Sequence, residues 1–260
     1  MTKVIALHSN RGGVGKTLIA TNLAFAYSKL GENVCLIDLD FRAPGLFPKL
    51  QLPTPRFWIN DFLNDRGNLW DTLIDVQQKY ETPGQLLVGL ADPALNSIKN
   101  MSWRSKQWEM KAFRKLLSLK TELADKAVDY LILDTSPGIL YSSVNAVACS
   151  DMVIIVSTAN VVDAVESQKT IQDLYQAFEK PTFVFMNKAT TMFEWSEKQK
   201  HAVIEKFSSI FNVPILTAVP CYCDLLTSKG ASIYVLEMSE HPFSKTIFEI
   251  AKKISEIVGA

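Results

Sequence analysis

The stretch "HSNRGGVGKTLIATNLA", His8–Ala24, decides how the rest of the chain is read. An apolar run, "KVIALH" (3–8), leads into it, and a helical run, "LIATNLAFAYSKLG", follows from Leu18. Strand, glycine-rich turn and helix in that order form a phosphate-binding loop. Successive backbone N–H groups turn inward around an anion, and the helix points its positive end at it. Gly12, Gly13 and Gly15 keep side chains out of that path. Lys16 brings charge to β- and γ-phosphates, and the Thr17 hydroxyl suits Mg2+. The usual pattern G-x-x-x-x-G-K-[ST] has glycine where this chain has Asn10. Asparagine tolerates a left-handed backbone better than most residues, which makes the substitution compatible with the loop.

Working outward, strand-like and helical runs alternate. "NVCLIDL" (33–39), "QLLVGL" (85–90), "VDYLILD" (128–134), "MVIIVS" (152–157), "TFVFM" (182–186) and "VPILTAV" (213–219) are short and rich in Val, Ile and Leu. Strands covered on both faces read this way. Helical stretches are expected near 16–30, 106–124, 162–179, 195–211 and 243–258. The fold class predicted is α/β: a doubly wound, mainly parallel sheet with helices on both faces, in one domain over 1–260. Pro44, Pro48, Pro53, Pro55, Pro83 and Pro93 interrupt the pattern in 41–108. That segment reads as a lid or interaction region at the carboxyl ends of strands.

Composition narrows the class. The 260 residues are 48% hydrophobic, enough for a large core, and carry 27 Lys plus Arg against 27 Asp plus Glu. Zero net charge gives no global pull toward nucleic acid or membrane, so any such contact needs a local patch. Four cysteines are too few for a disulfide scaffold. No apolar run approaches the ~18 residues of a membrane span, and no signal-peptide pattern opens the chain, so a cytoplasmic protein is expected.

"LIDLD" places Asp38 and Asp40 at the carboxyl end of the second strand, beside the loop in a doubly wound sheet. "DYLILD" ends in Asp134, followed by "TSPG". "FVFMNK" ends in Asn187 and Lys188, where a carboxamide offers both a donor and an acceptor. "NRGGVGKT" resembles the deviant Walker A loop, K-G-G-x-G-K-[ST], of the ParA/MinD family of ATPases. The likeness continues at "VCLIDLDFRAPGL", "YLILDTSPG", "FVFMNK" and "TAVP", leaving only about 47–127 without motif support.

The resemblance implies ATP bound by Asn10, Arg11, Gly12, Gly13, Val14, Gly15, Lys16, Thr17 and Leu18, with Asn187, Lys188 and Pro220 near the base. It implies Mg2+ held through Thr17, Asp38 and Asp134, and an attacking water oriented by Asp40, so that Lys16, Asp40 and Arg11 act in catalysis. Arg11 stands where the family's loop lysine crosses an ATP-sandwich dimer to touch the partner's nucleotide. Arginine keeps the charge and adds a planar fork for phosphate oxygens. The other reading leaves Arg11 a surface side chain on a protein that forms no sandwich. Ser136 replaces a proline common in the family. The implied function is a slow ATPase, acting as an ATP-dependent homodimer with an activating protein partner, in partitioning or spatial positioning. An ATP-sensing scaffold without turnover and an ATP-dependent biosynthetic ligase remain the other two readings.

Three further features carry less. Within 102–120, Arg104, Lys106, Lys111, Arg114, Lys115 and Lys120 face the single acid Glu109. Met110, Phe113 and Leu117 read as the packed side of that helix, and a solvated basic face accounts for the rest better than a nucleic-acid or membrane contact. Cys221 and Cys223 invite a metal reading, but their spacing matches neither arrangement of iron–sulfur relatives. Phe243, Ile247, Ile250, Ile254 and Ile257 form one stripe of a last helix that packs on the sheet, which leaves no separate membrane-targeting tail.

Overall fold

The computed structural model describes residues 1–190, 195–222, 224–225 and 233–259. Among them, strands β1 (Lys3–His8), β2 (Val34–Leu39), β3 (Leu73–Asp75), β4 (Leu86–Gly89), β5 (Tyr130–Thr135), β6 (Met152–Thr158), β7 (Thr182–Ala189) and β8 (Ile215–Pro220) form one sheet. Their order is β3-β4-β2-β5-β1-β6-β7-β8. Every pair is parallel except β3 with β4. β2 and β5 are buried along their whole length, as strands covered on both faces must be. This is the α/β architecture that the alternating runs predicted.

One apolar layer packs the helix Lys16–Lys29 and the C-terminal helix Pro242–Gly259 against the sheet. Phe243, Ile247, Ile250 and Ile254 are buried there, with Ile257 partly so. The Tyr27 hydroxyl donates to the Ala251 carbonyl at 3.0 Å, and its ring stacks on Tyr130 with centroids 4.0 Å apart. The opposite layer is built from helices Lys106–Ala124, Tyr141–Cys149, Val161–Thr170 and Glu197–Ser208. No helix of the described residues is long and apolar enough to cross a membrane.

Several expectations needed correction. Helix Lys106–Ala124 buries Ala112, Leu116, Leu119 and Leu123, while Met110 and Leu117 are exposed. The packed stripe is therefore rotated from the one that Met110, Phe113 and Leu117 suggested, because Leu116, Leu119 and Leu123 set the buried face. The helix expected over 162–179 widens into a π turn at Ile171–Tyr175. β3 and the helix Tyr141–Cys149 were not anticipated. The first has three residues, too few to show alternation, and the second buries only Ser143, Ala146 and Val147. The 41–108 segment supplies β3 and β4 to the sheet and buries Ile59, Phe62 and Leu63 beneath its short helices.

The register levels the functional ends. Asp134 of β5 lies opposite both Leu7 of β1 and Asp38 of β2. The carboxyl ends of these central strands thus share one crevice, where ligands of open α/β sheets bind.

Candidate functional site

β1 opens into a loop in which Gly13 has φ 76° and Gly15 φ 101°. A Cβ on Gly15 would lie 2.3 Å from Asn187 Nδ2, so both the backbone and the neighbour demand glycine there. The helix that follows has no side-chain cap, which leaves its first N–H groups to a ligand. Ser9, Arg11 through Leu18, Asp40, Ala43 and Pro137 line a cavity of about 330 Å³ around this loop.

Asn10 does not adopt the left-handed backbone that its position in the motif suggested. Its amide instead donates to Glu166 Oε2 at 3.1 Å and accepts from the Thr170 hydroxyl at 3.2 Å. A glycine would lose both bonds. Arg11 forms a bidentate pair with the same carboxylate, Nε to Oε2 and Nη2 to Oε1, each 2.7 Å. Both side chains remain about half exposed, at 48% and 42%. The Arg11 hydrogen bonds hold the Glu166 carboxyl below its ordinary range. Glu166 escaped the sequence reading because one acid on an amphipathic helix carries no distinguishing pattern.

Deeper in, Lys16 Nζ lies 3.2 Å from Asp134 Oδ1, with the two side chains 6% and 0% exposed. The other oxygen, Asp134 Oδ2, is buried and has no hydrogen-bond partner among the described residues. Burial raises the Asp134 carboxyl, while Lys16 and the Thr17 hydroxyl oppose that shift. Asp38 is pushed up to about 8, first by burial and then by Asp134. An orphaned carboxylate oxygen beside a threonine hydroxyl fits a hard divalent cation such as Mg2+. Among the described residues no cluster of three or more His, Cys, Asp or Glu side chains could hold a metal. Such an ion would complete its shell from water and phosphate oxygens, as Mg2+ usually does.

Asp38 and Asp40 shape the loop after β2. Asp38 Oδ1 accepts from the Asp40 N–H at 2.9 Å, and Oδ2 from the Gly45 and Leu46 N–H groups at 3.1 Å each. Asp40 Oδ1 accepts from the Ser136 hydroxyl at 2.9 Å and more distantly from the N–H groups of Ala43 and Arg42, at 3.2 and 3.3 Å. Ser136 therefore ties the loop after β5 to the loop after β2, a bond that a proline cannot make. Gly138, at φ 77°, donates to the Ser9 carbonyl at 2.8 Å.

The Gly138 carbonyl accepts from His8 Nε2 at 2.9 Å, which fixes the His8 proton on that nitrogen. His8 Nδ1 then accepts from the Tyr175 hydroxyl. Burial, with Lys16 adding to it, pushes the His8 imidazole down to about 4 despite its bond to Gly138. The sequence reading had found no role for His8.

The remaining predicted residues meet the loop from the other side. Asn187 Nδ2 donates to the Val14 carbonyl at 2.7 Å. Lys188, left-handed at φ 54°, donates from Nζ to the Gly13 carbonyl at 2.6 Å. Both brace the phosphate loop in this structure. Pro220 ends β8 opposite Ala189. Cys221 is partly buried with a free thiol, and Cys223 lies outside the described residues.

A glycine loop, a buried lysine and carboxylates at the ends of adjacent strands can bind a phosphoryl chain and orient water against it. The AAA domain family model matches residues 2–182. An uncharacterized ATP-binding protein, MJ0547 of Methanocaldococcus jannaschii, is 25% identical over 257 residues, covering 98% of this chain and 88% of its own. The septum site-determining protein MinD of Thermotoga maritima is 26% identical over 261 residues, again covering 98% and 88%. MinD complexed with Mg-ADP from Pyrococcus horikoshii superposes with a TM-score of 0.77 at 19% identity, covering 100% and 98% of the two chains, a likeness of fold. With the family model spanning most of the chain and the loop and its carboxylates in place, the chain belongs to the ParA/MinD family of P-loop ATPases.

Proposed function

We propose that the protein binds Mg-ATP at this loop, pairs with a second copy around two nucleotides and hydrolyses ATP slowly, as a switch in partitioning or spatial positioning. The observation that carries the reading is the side chain at the loop's second position: Arg11 lines the cavity, yet its side chain is half exposed. A half-exposed guanidinium there can reach a neighbouring molecule's phosphates, and arginine supplied in trans stabilises the charge of phosphoryl transfer.

The roles of the other residues follow from their present contacts. Lys16 would exchange the Asp134 carboxylate for β- and γ-phosphate oxygens. Asp134 and Thr17, with Asp38 behind them, would then hold Mg2+, which neutralises phosphate charge. Asp40, braced by Ser136, would orient the attacking water. Asn187 and Lys188 hold the loop from below, and the base would sit beside Asn187 and Pro220. The Glu166 pair keeps Arg11 occupied within one chain, which fits slow turnover until a protein partner engages the dimer. Segment 41–108 is the proposed partner-facing region of a cytoplasmic protein.

Comparing native protein with Arg11→Ala and Asp40→Ala tests this. The expected result is an ATP-dependent dimer lost in Arg11→Ala, and a dimer with turnover reduced to a slow residual rate in Asp40→Ala. A native chain that dimerises with ATP yet never hydrolyses it is a scaffold. A monomer that hydrolyses ATP only with a small-molecule acceptor is a ligase.

A further inference from the structure

A second cavity, of about 350 Å³, lies between the loops after β2 and β5 and the segment around Met101–Glu109. Phe41, Met101, Trp108 and Tyr141 give it apolar and aromatic walls, and Arg42 and Arg104 line it with guanidinium groups. That combination is typical of small-molecule sites: an apolar body with a few placed charges, at the lower end of the ~300–1,000 Å³ range.

Arg104 is the informative residue. Among the described residues its buried Nε has no hydrogen-bond partner, and Nη2 donates to the Met101 sulfur at 3.8 Å. Its guanidinium lies 5.1 Å from the Trp108 ring centroid, and that ring is itself fixed by its N–H donating to Asn64 Oδ1 at 2.9 Å. In the same basic stretch Lys111 and Lys115 pair with Asp65 and Lys120 with Asp151, while Lys106 and Arg114 make no ion pair among the described residues. Arg104 and Arg42 make no ion pair among the described residues. A partly desolvated guanidinium is costly unless a hydrogen-bonded anion answers it.

We propose that this cavity is a binding site for a small organic monocarboxylate with an aromatic or branched apolar body. The carboxylate engages Arg104, whose fork matches it, with Arg42 at the mouth, and the body packs on Phe41, Met101 and Tyr141. Glu109 is the acid in the lining: its Oε2 accepts from the Asn145 amide at 3.4 Å, and the charge of Arg104 opposes the rise that burial gives its carboxyl. Two guanidiniums against one carboxylate suit a monoanion rather than a phosphate dianion. Ser136 lines the same cavity and holds Asp40, so an occupant touches the residue that positions the water-orienting carboxylate. That coupling rests on the ATPase reading above, whereas binding does not.

The test is calorimetric titration of the full chain with 3-phenylpropionate, with 3-phenylpropionamide and inorganic phosphate as controls. Saturable binding of the carboxylate is expected, with the amide weaker by about tenfold or more. Arg104→Gln should weaken the carboxylate by about ten- to a hundredfold and Arg42→Gln by less, while both variants bind a fluorescent ATP analogue normally. Equal affinity for acid and amide, unchanged affinity in both variants, phosphate binding as tightly, or no saturable binding overturns the proposal. So does binding of a phenylalanine-ended peptide without the free acid. If the acid binds as expected but no ATP is bound or hydrolysed, the ATPase reading fails and the site stands. If ATP is turned over normally and the acid does not bind, only the site fails.

Discussion

Replacing Ser136 by alanine tests whether the loop after β5 governs the water-orienting carboxylate. Ser136 and Asp40 are 1% and 6% exposed, so little solvent competes for their 2.9 Å hydrogen bond. The two other donors to Asp40 Oδ1 are backbone N–H groups at 3.2 and 3.3 Å, both longer. A hydrogen bond to a charged acceptor contributes about 1.5–3 kcal/mol, and the two long bonds recover part of it. A loss of about 1–2 kcal/mol in the transition state lowers kcat by about 5- to 30-fold. KM for ATP should hardly move, because the phosphate loop and Lys16 are untouched. Single-turnover hydrolysis at saturating Mg-ATP measures this, and the decisive comparison is a double-mutant cycle with Asp40→Ala, read on its residual rate. If Ser136 works through Asp40, its replacement costs nothing more once the carboxylate is gone. An equal loss in both backgrounds, or a loss confined to KM, refutes the reasoning.

Other predictions concern the latch, the loop and the buried imidazole. Glu166→Gln releases Arg11 from its bidentate partner, so ATP-dependent dimers should form at lower protein concentration in sedimentation velocity; unchanged dimerisation means the pair is not a restraint. Gly15→Ala forces a side chain to φ 101° and onto Asn187, costing about 1–2 kcal/mol in backbone and about 1–3 kcal/mol in the displaced bond to Val14. Its melting temperature should fall, with no further rise on adding ATP. His8, lowered to about 4 from 6.5, stays neutral in the folded chain while the unfolded chain takes up its proton. Stability is therefore lost as pH falls through that window, by up to about 3 kcal/mol. Urea midpoints at neutral and mildly acid pH should differ less in His8→Gln than in the native chain.

The phosphate loop was legible because its demands are local. Gly13 and Gly15 answer a backbone requirement that a short window displays, and the runs around Asp38 and Asp134 announce buried strands by composition alone. What stayed hidden depends on which distant residue arrives beside it. Asn10 suited the loop for a reason other than its backbone tolerance: its amide meets Glu166 and Thr170, more than 150 positions away. Ser136 read as a departure from proline, yet its hydroxyl is what joins the two loops. The cations of 102–120 suggested a solvated basic face, and only the packing separates the lysines paired with Asp65 and Asp151 from Arg104, whose buried Nε makes no hydrogen bond among the described residues.

The same distinction reshapes the reading of Arg11. In the sequence the contrast was lysine against arginine, a matter of reach and fork geometry. In the structure the fork is already filled, by a carboxylate on the helix that follows β6. Two parallel hydrogen bonds suit arginine and not lysine, so the substitution and Glu166 belong together. An arginine that must leave one bidentate partner to take another couples dimer formation to the loss of an internal contact. Arg11→Lys should then loosen the resting pair as well as weaken the trans contact, whereas Glu166→Gln should loosen the resting pair alone. A nucleotide-dependent dimer that is stronger in Glu166→Gln and weaker in Arg11→Lys is the signature of that arrangement.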